Sequence, residues 1–192
     1  MSTAVSPPLF NAPPGIGPLV VMGVSGCGKT SVGKLLAYDL GYLFIEGDSK
    51  HSDASIEKMS NGIPLTDEDR LPWLMSLGRE MAANRQVVVS CSALKRSYRD
   101  VLRNGAGTPL SFVFLHGGTK TLAARIAARN EHFMPLSLLE SQLETLEPPT
   151  DEHDVITIEI DQPFEHIVST VITYAGKLAQ QRYKAEISQR KP

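Results

Sequence analysis

The chain is poor in cysteine, has little charge imbalance and contains no long apolar run. Its two cysteines, Cys27 and Cys91, do not form the paired spacing typical of disulfide frameworks or zinc sites. The 19 lysines and arginines against 21 aspartates and glutamates give a net charge of −2, without a positive field for nucleic acid or anionic lipid. No segment reaches the roughly 20 apolar residues of a membrane span. We therefore expect a soluble, cytoplasmic protein with neither a nucleic-acid nor a membrane partner.

The first part of the chain lacks charge as well. Residues 1–28 have no charged side chain, but their prolines and the missing basic start argue against a signal peptide. Residues 1–17 are rich in Pro, Ala, Ser and Gly, and such a segment buries too little apolar surface to offset its ordering entropy. With a polar stretch at the other end, this predicts a tail at 1–17, one domain at 18–182 and a frayed tail at 183–192.

Five short apolar runs alternate with longer amphipathic stretches. They lie at 19–22, 42–45, 86–89, 110–115 and 155–160. None of them shows polar alternation, which is typical of strands buried on both faces in a parallel sheet. The helical spacing of apolar residues is clearest at 164–179. The sequence thus predicts an α/β fold with three layers, in which helices cover both faces of a five-stranded parallel sheet.

One motif carries a specific chemical signal. Between the first strand and the first helix the chain reads GVSGCGKT, which matches the G-x-x-x-x-G-K-[ST] pattern of phosphate-binding loops. Its backbone N–H groups and the positive end of the helix favour phosphate. The predicted nucleotide-binding residues are Gly23, Val24, Ser25, Gly26, Cys27, Gly28, Lys29 and Thr30. Lys29 is expected to hold the β- and γ-phosphates of ATP during catalysis, and Thr30 to offer its hydroxyl to Mg²⁺.

Motifs of other phosphate-loop proteins are missing. The chain contains neither Asp-x-x-Gly nor Asn-Lys-x-Asp, which are the switch and guanine-reading patterns of GTPases. The third predicted strand continues into Val-Ser-Cys-Ser at 89–92, whereas many motor ATPases have an acidic residue there. These absences favour a compact P-loop kinase.

Acidic Asp48 stands just beyond the second predicted strand, where open α/β sheets bind ligands. A carboxylate there can accept the proton of an attacking hydroxyl, or orient that hydroxyl and support Mg²⁺ through its water shell. The alternative for Asp48 is a helix N-cap. For nearby His51, the spacing leaves open a contact to a polyol or carboxylate and a solvated loop position.

A longer pattern resembles the gluconate kinase family. It comprises GDxxH at 47–51, KMxxGxPLxDxDRxPWL at 58–74, CSALKRxYRDxLR at 91–103, HFMPxxLLxSQ at 132–142 and TLEPP at 145–149. The resemblance implies phosphorylation of D-gluconate to 6-phospho-D-gluconate with ATP and Mg²⁺, which feeds sugar-acid catabolism and the pentose phosphate pathway. It also suggests a homodimer.

The resemblance implies an acceptor site as well. Carried over residue by residue, it consists of Asp48, His51, Arg70, Lys95, Arg99 and His132. Fixed cations would hold the gluconate carboxylate. For the basic residues of 95–103 the alternative is a solvated helix face, which we expect for at least two of them. Ser52 and Ser55 replace the Pro and Asn common in the family, so the sequence leaves open which sugar acid is the preferred substrate.

Arg125 and Arg129 lie four residues apart on one face of a predicted helix, just before a segment that resembles the mobile lid of small P-loop kinases. Arg129 is expected to reach the phosphates as charge develops, and Arg125 to lie over the adenine ring or bind phosphate. Two other functions stay open. One is a related kinase for a shikimate-like hydroxy acid or a nucleoside monophosphate, and the other is a nucleotide-binding module without turnover.

Overall fold

A computed structural model describes residues 15–128 and 136–189 and contains one five-stranded sheet. The strands are β1 Leu19–Met22, β2 Leu43–Glu46, β3 Val87–Ser90, β4 Ser111–His116 and β5 Val155–Glu159. All neighbours pair in parallel, in the order β2-β3-β1-β4-β5. Each strand begins and ends within one residue of a predicted apolar run, so the predicted α/β class is confirmed.

Helices cover both faces of the sheet. They are α1 Lys29–Leu40, α2 Asp53–Ser60, α3 Asp67–Ala83, α4 Arg96–Ala106, α5 Thr119–Ala127, α6 Leu136–Thr145 and α7 Phe164–Gln189. One apolar cluster joins Val21 of β1 to α1 and α7, and a second joins Val20 to α3 and α4. Successive strand residues point to opposite faces, and in β1 and β3 every residue is buried, which explains why these strands show no polar alternation. The edge strand β5 differs from the expected pattern, because its Thr157 and Glu159 are exposed.

The end of α1 and the start of α3 are set by residues with the expected capping preferences. Gly41 closes α1 in the left-handed conformation, with φ of 66°, and its N–H donates to the carbonyl of Tyr38 at 3.2 Å. Thr66 and Asp69 form a capping box at the start of α3. These contacts fix the start of α3, the helix that carries Trp73.

The ends of the domain differ from the expected boundaries of 18 and 182. Ile16 is fully buried in the cluster that contains α1 and α7, although it falls within the expected tail. Helix α7 continues to Gln189, because no Gly or Pro interrupts residues 183–189. The remainder of the expected N-terminal tail, residues 1–14, lies outside the described residues. Among the helices that the structure describes, none has the length and apolarity to cross a membrane.

Candidate active site

The predicted phosphate loop lies between β1 and α1, as its sequence context indicates. Gly23, Gly26 and Gly28 have φ values of 134°, 84° and 97°, which side chains with a Cβ rarely adopt. At Gly23 a Cβ would also stand 2.4 Å from the carbonyl oxygen of Leu115 in β4. The glycines therefore allow the tight turn and let the loop lie directly against the sheet.

Two side chains contact the carbonyl and amide groups of this loop. Lys29, the first residue of α1, reaches back so that its Nζ donates to the Val24 carbonyl at 3.1 Å. The backbone N–H of Ser25 donates to Oε1 of Gln142 in α6 at 2.7 Å. Sequence reasoning missed Gln142, because its family-like SQ segment gives no sign of a contact across 117 positions of the chain. The Ser25 N–H, a backbone donor of the kind that binds phosphate, is thus occupied by the neutral side-chain amide of Gln142.

Asp48 lies at the carboxyl end of β2, in the short 3₁₀ helix Gly47–Lys50. Its side chain is exposed. Ser52 caps α2 instead, since its Oγ accepts from the Ser55 N–H at 3.2 Å. The N-cap alternative for Asp48 is therefore wrong, and its carboxylate is accessible to a ligand.

His51 is buried, which excludes the solvated-loop alternative. Its side chain stacks on the indole of Trp73 with ring centroids 4.0 Å apart and an interplanar angle of 22°. Burial lowers the pKa of His51; the charge of Asp48 raises it, and that of Arg70 lowers it further. Among the described residues, its buried Nδ1 has no hydrogen-bond partner. Burial therefore favours the neutral form of the His51 imidazole.

Arg70 and Lys95 meet around the ring of Tyr98. The Arg70 guanidinium lies 5.8 Å from the ring centroid, and the Lys95 ammonium lies 5.4 Å from it. Lys95 also forms an ion pair with Asp67 at 2.8 Å. Hydrogen bonds from Lys95 and then Tyr98 lower the pKa of Asp67, so its carboxylate stays charged. The structure therefore brings together two of the predicted cationic clamps. Arg70 lies in the first turn of α3 and Lys95 is the N-cap of α4, so both lie at the edge of the sheet that carries Asp48.

Arg99 does not face a ligand, and its predicted substrate contact is wrong. Its side chain is 1% exposed and forms an ion pair with Glu152 at 2.5 Å. Nη1 donates to the carbonyls of Ala93 and Leu94, and Nη2 to that of Glu147. Together with the Nε contacts to Glu152, these bonds occupy every part of the guanidinium. Arg99 stabilises the turn between β3 and α4 and has no donor left for gluconate.

The other basic residues of this segment also differ from a simple solvated face. Arg103 is ion-paired with Glu152 and Asp154. The four basic residues are Lys95, Arg96, Arg99 and Arg103. Only Arg96 is exposed, whereas at least two of the four were expected to face solvent. The sequence spacing could not reveal this because the acidic partners lie about fifty positions further along the chain.

Arg125 lies beside the start of α1. Its Nη2 donates to the Ile160 carbonyl at 3.0 Å, while its buried Nη1 has no partner among the described residues. A Cβ placed on Gly28 would stand 3.3 Å from Cε1 of Phe164 and 4.0 Å from Nη1 of Arg125. An aromatic edge that the sequence analysis did not single out therefore lies next to the phosphate loop. The other predicted lid residues, Arg129 and His132, lie outside the described residues.

Comparisons with known proteins agree with this arrangement. Residues 19–149 match a family model described as an AAA domain. A gluconokinase of Gluconobacter oxydans (strain 621H) is 48% identical over 160 residues, which cover 81% of this chain and 89% of that protein. The thermoresistant gluconokinase of Escherichia coli (strain K12) is 44% identical over 163 residues, covering 82% and 93%. The crystal structure of a gluconokinase from Sinorhizobium meliloti 1021 superposes with a TM-score of 0.82 at 51% identity, covering 92% of this chain and 99% of that one. Similarity of this extent, over a P-loop kinase fold with an intact phosphate loop, shows that the chain belongs to the gluconokinase family.

Proposed function

We propose that this protein transfers the γ-phosphoryl group of ATP to D-gluconate and produces 6-phospho-D-gluconate. The observation that carries the proposal is the position of the phosphate loop and of the Asp48–His51 segment. Both follow the carboxyl ends of strands in one parallel sheet, which is the edge where such sheets bind ligands. A phosphate donor and an exposed carboxylate at one edge fit a kinase of the family to which the chain belongs.

On the donor side, the loop amides would hold the phosphates and Lys29 would neutralise their charge. In phosphoryl transfer, positioning and charge stabilisation supply most of the rate enhancement. Lys29 lies within reach of the loop mouth, since its ammonium already contacts the Val24 carbonyl. Arg125, whose buried Nη1 has no hydrogen-bond partner within residues 15–128 and 136–189, is our candidate for the adenine ring or a phosphate.

On the acceptor side, Asp48 would orient the attacking hydroxyl and accept its proton. Neutral His51 would hydrogen-bond a hydroxyl along the sugar acid, and Arg70 and Lys95 would hold its carboxylate. Lys95 is only partly exposed and pairs with Asp67, so a substrate carboxylate would exchange with that partner. Arg99 takes no part, for the reason given above.

Magnesium fits the residues of this site as an ion held mainly by substrate. The part of the chain that the structure describes has no cluster of three or more His, Cys, Asp or Glu side chains suited to a metal. Mg²⁺ in kinases typically keeps several waters and binds phosphate oxygens with only one or two protein ligands. Thr30, in the first turn of α1, would supply a hydroxyl, and Asp48 would support the water shell. When bound, the ion would neutralise charge on the phosphates.

The remaining features of the proposal rest on the sequence. The family resemblance suggests a homodimeric state and a lid that contains Arg129 and His132, and the low cysteine content favours a cytoplasmic location. Arg129 would contact the phosphates during transfer, and His132 would contact the acceptor. These assignments stay predictions, as does a single kinase domain built around residues 18–182.

A coupled assay of ADP release tests the proposed activity. The purified protein, MgATP and each of gluconate, shikimate and nucleoside monophosphates are compared, with a Lys29→Ala variant as the inactive control. We expect turnover with gluconate and a product whose phosphorus is attached to the terminal oxygen, as read by ³¹P NMR. An inert gluconate beside an active rival acceptor would contradict the substrate assignment. Nucleotide binding without any transfer would favour a binding module.

Gln142 provides a second test, through its contact with the loop. Because Gln142 occupies the Ser25 N–H, an incoming phosphate must displace it, so Gln142→Ala should tighten nucleotide binding. A typical hydrogen bond contributes about 0.5–1.5 kcal/mol net, which corresponds to roughly a twofold to tenfold lower Kd for ATP. Isothermal titration calorimetry measures the change.

The matched control for that experiment is Gln86→Ala, an exposed glutamine at the opposite end of β3, which should leave the Kd unchanged. Gln142→Glu should raise the Kd, since a carboxylate at the same position repels phosphate. Equal affinities of wild type and Gln142→Ala would show that phosphate does not use the Ser25 amide.

A further inference from the structure

We propose that Trp73, the single tryptophan of the chain, is a positioning residue that fixes Asp48 relative to His51. The inference rests on the proposed function, because it concerns the acceptor side of that site. Trp73 lies in α3 and is 4% exposed. Sequence analysis alone gives a tryptophan on a helix face no more than a core-packing role.

The indole makes two different contacts with the segment that carries Asp48. Its Nε1–H donates to the carbonyl oxygen of Gly47 at 2.7 Å, and this contact is buried. Its ring face stacks on His51 with centroids 4.0 Å apart. Gly47 directly precedes Asp48 and His51 follows three residues later, so one rigid side chain holds both ends of this short segment.

The opposite side of Gly47 is fixed as well. Its N–H donates to Oγ of Ser90, at the end of β3, at 3.1 Å. That hydroxyl in turn donates to the Glu46 carboxylate. There is no space for movement towards the strand, since a Cβ on Gly47 would stand 2.0 Å from the Ser90 carbonyl oxygen. The peptide that leads into Asp48 is therefore held between β3 and the indole.

Because the indole makes both a hydrogen bond and a ring contact, a substitution that removes only the hydrogen bond distinguishes a positioning role from simple packing. Phenylalanine at position 73 would keep an aromatic ring against His51 but remove the N–H bond to Gly47. The peptide before Asp48 would then be restrained from one side only. Small misplacements of a group that orients a reacting atom lower turnover strongly. The hydrogen bond and the ring contact of the indole are made with Gly47 and His51, so the KM for ATP should change little.

The test compares Trp73→Phe with Met81→Ala. Met81 is a fully buried residue of the same helix and the same apolar cluster, eight positions further along the chain than Trp73. We expect Trp73→Phe to lower kcat about tenfold with the KM for ATP unchanged. Met81→Ala should lower the thermal unfolding temperature and leave kcat unchanged. A Trp73→Phe kcat within twofold of wild type, or an equal fall in both variants, would overturn the proposal.

Two further measurements keep the proposal testable. Ser90→Ala removes the other hydrogen bond to Gly47, so it should also lower kcat. If Trp73→Phe fails to fold, an unchanged kcat in Ser90→Ala overturns the proposal.

The second measurement is fluorescence: the emission of the lone indole should change when gluconate is added to wild type without ATP. No change at concentrations that saturate turnover would count against the proposal. Failure of the proposed function would appear separately, as wild-type protein that does not turn over gluconate; the variants are then compared on whichever acceptor is active.

Discussion

Asp48→Asn is expected to lower kcat for transfer to gluconate by about 10²- to 10⁴-fold, the range typical of a lost general base. Asparagine has nearly the same shape and can still accept one hydrogen bond, but it cannot take the proton of the attacking hydroxyl. The side chain is exposed and lies outside the phosphate loop, so the fold and the Kd for ATP should change little. Steady-state kinetics and an ATP titration measure both quantities.

Asp53→Asn is the matched control for this substitution. Asp53 is also exposed and stands five positions further on, in the first turn of α2. Its loss should affect only the helix end, by a few tenths of a kcal/mol, without changing kcat. If Asp48→Asn retains kcat within threefold of wild type, or if both variants lose activity equally, Asp48 is not the acceptor-side base.

Arg99→Met is expected to lower the free energy of unfolding by about 3–5 kcal/mol, as for other broken buried ion pairs. Glu152, whose side chain is 5% exposed, would keep its charge and lose its buried partner, retaining only the more exposed Arg103. The carbonyls of Ala93 and Leu94 would lose the bonds from Arg99 as well, although that of Leu94 would keep the Glu147 N–H. Ala93 has φ of 42°, a left-handed conformation that a residue with a Cβ rarely adopts, so this turn depends on external support. Urea denaturation measures the change.

Two comparisons identify the cause of that loss. In Arg99→Met/Glu152→Gln the buried carboxylate that has lost Arg99 is replaced by a neutral amide, so part of the stability should return. Glu80→Gln breaks the Lys50–Glu80 pair, whose side chains are 39% and 38% exposed, and should cost no more than about 1 kcal/mol. An Arg99→Met protein as stable as wild type would contradict a structural role for the buried network.

The same network gives the stability a dependence on acid. Burial raises the pKa of Glu152, but hydrogen bonds from Arg99 and Arg103 outweigh this and bring its pKa below the ordinary value of 4.5. A carboxyl whose pKa is lower in the folded state than in the unfolded state stabilises the fold fully when the pH is above its unfolded-state pKa. This contribution then declines as the pH falls below about 4.5 through the folded value.

The site shows which features can be read from sequence. GVSGCGKT was located correctly because its function depends on consecutive residues of one loop, whose glycines have no substitute at positive φ. The position of Asp48 is predictable as well, because the sheet itself carries a residue directly after a strand to the ligand edge, while its role stays a prediction. Arg99 was misjudged because an arginine beside two candidate clamps has the same local pattern whether it faces a ligand or a buried glutamate.

The amino-acid sequence by itself determined the five strands, their parallel class, the phosphate loop and the family pattern, since each is encoded by neighbouring residues or by a fixed spacing. Only the tertiary structure decided which polar side chains are available for chemistry. Arg99 is occupied by Glu152, the Ser25 amide by Gln142, and Gly47 by Trp73, and the members of these pairs stand 53, 117 and 26 positions apart. A hydrogen bond depends on distances of about 3 Å between atoms, and packing of whole elements sets those distances for residues that no local pattern links.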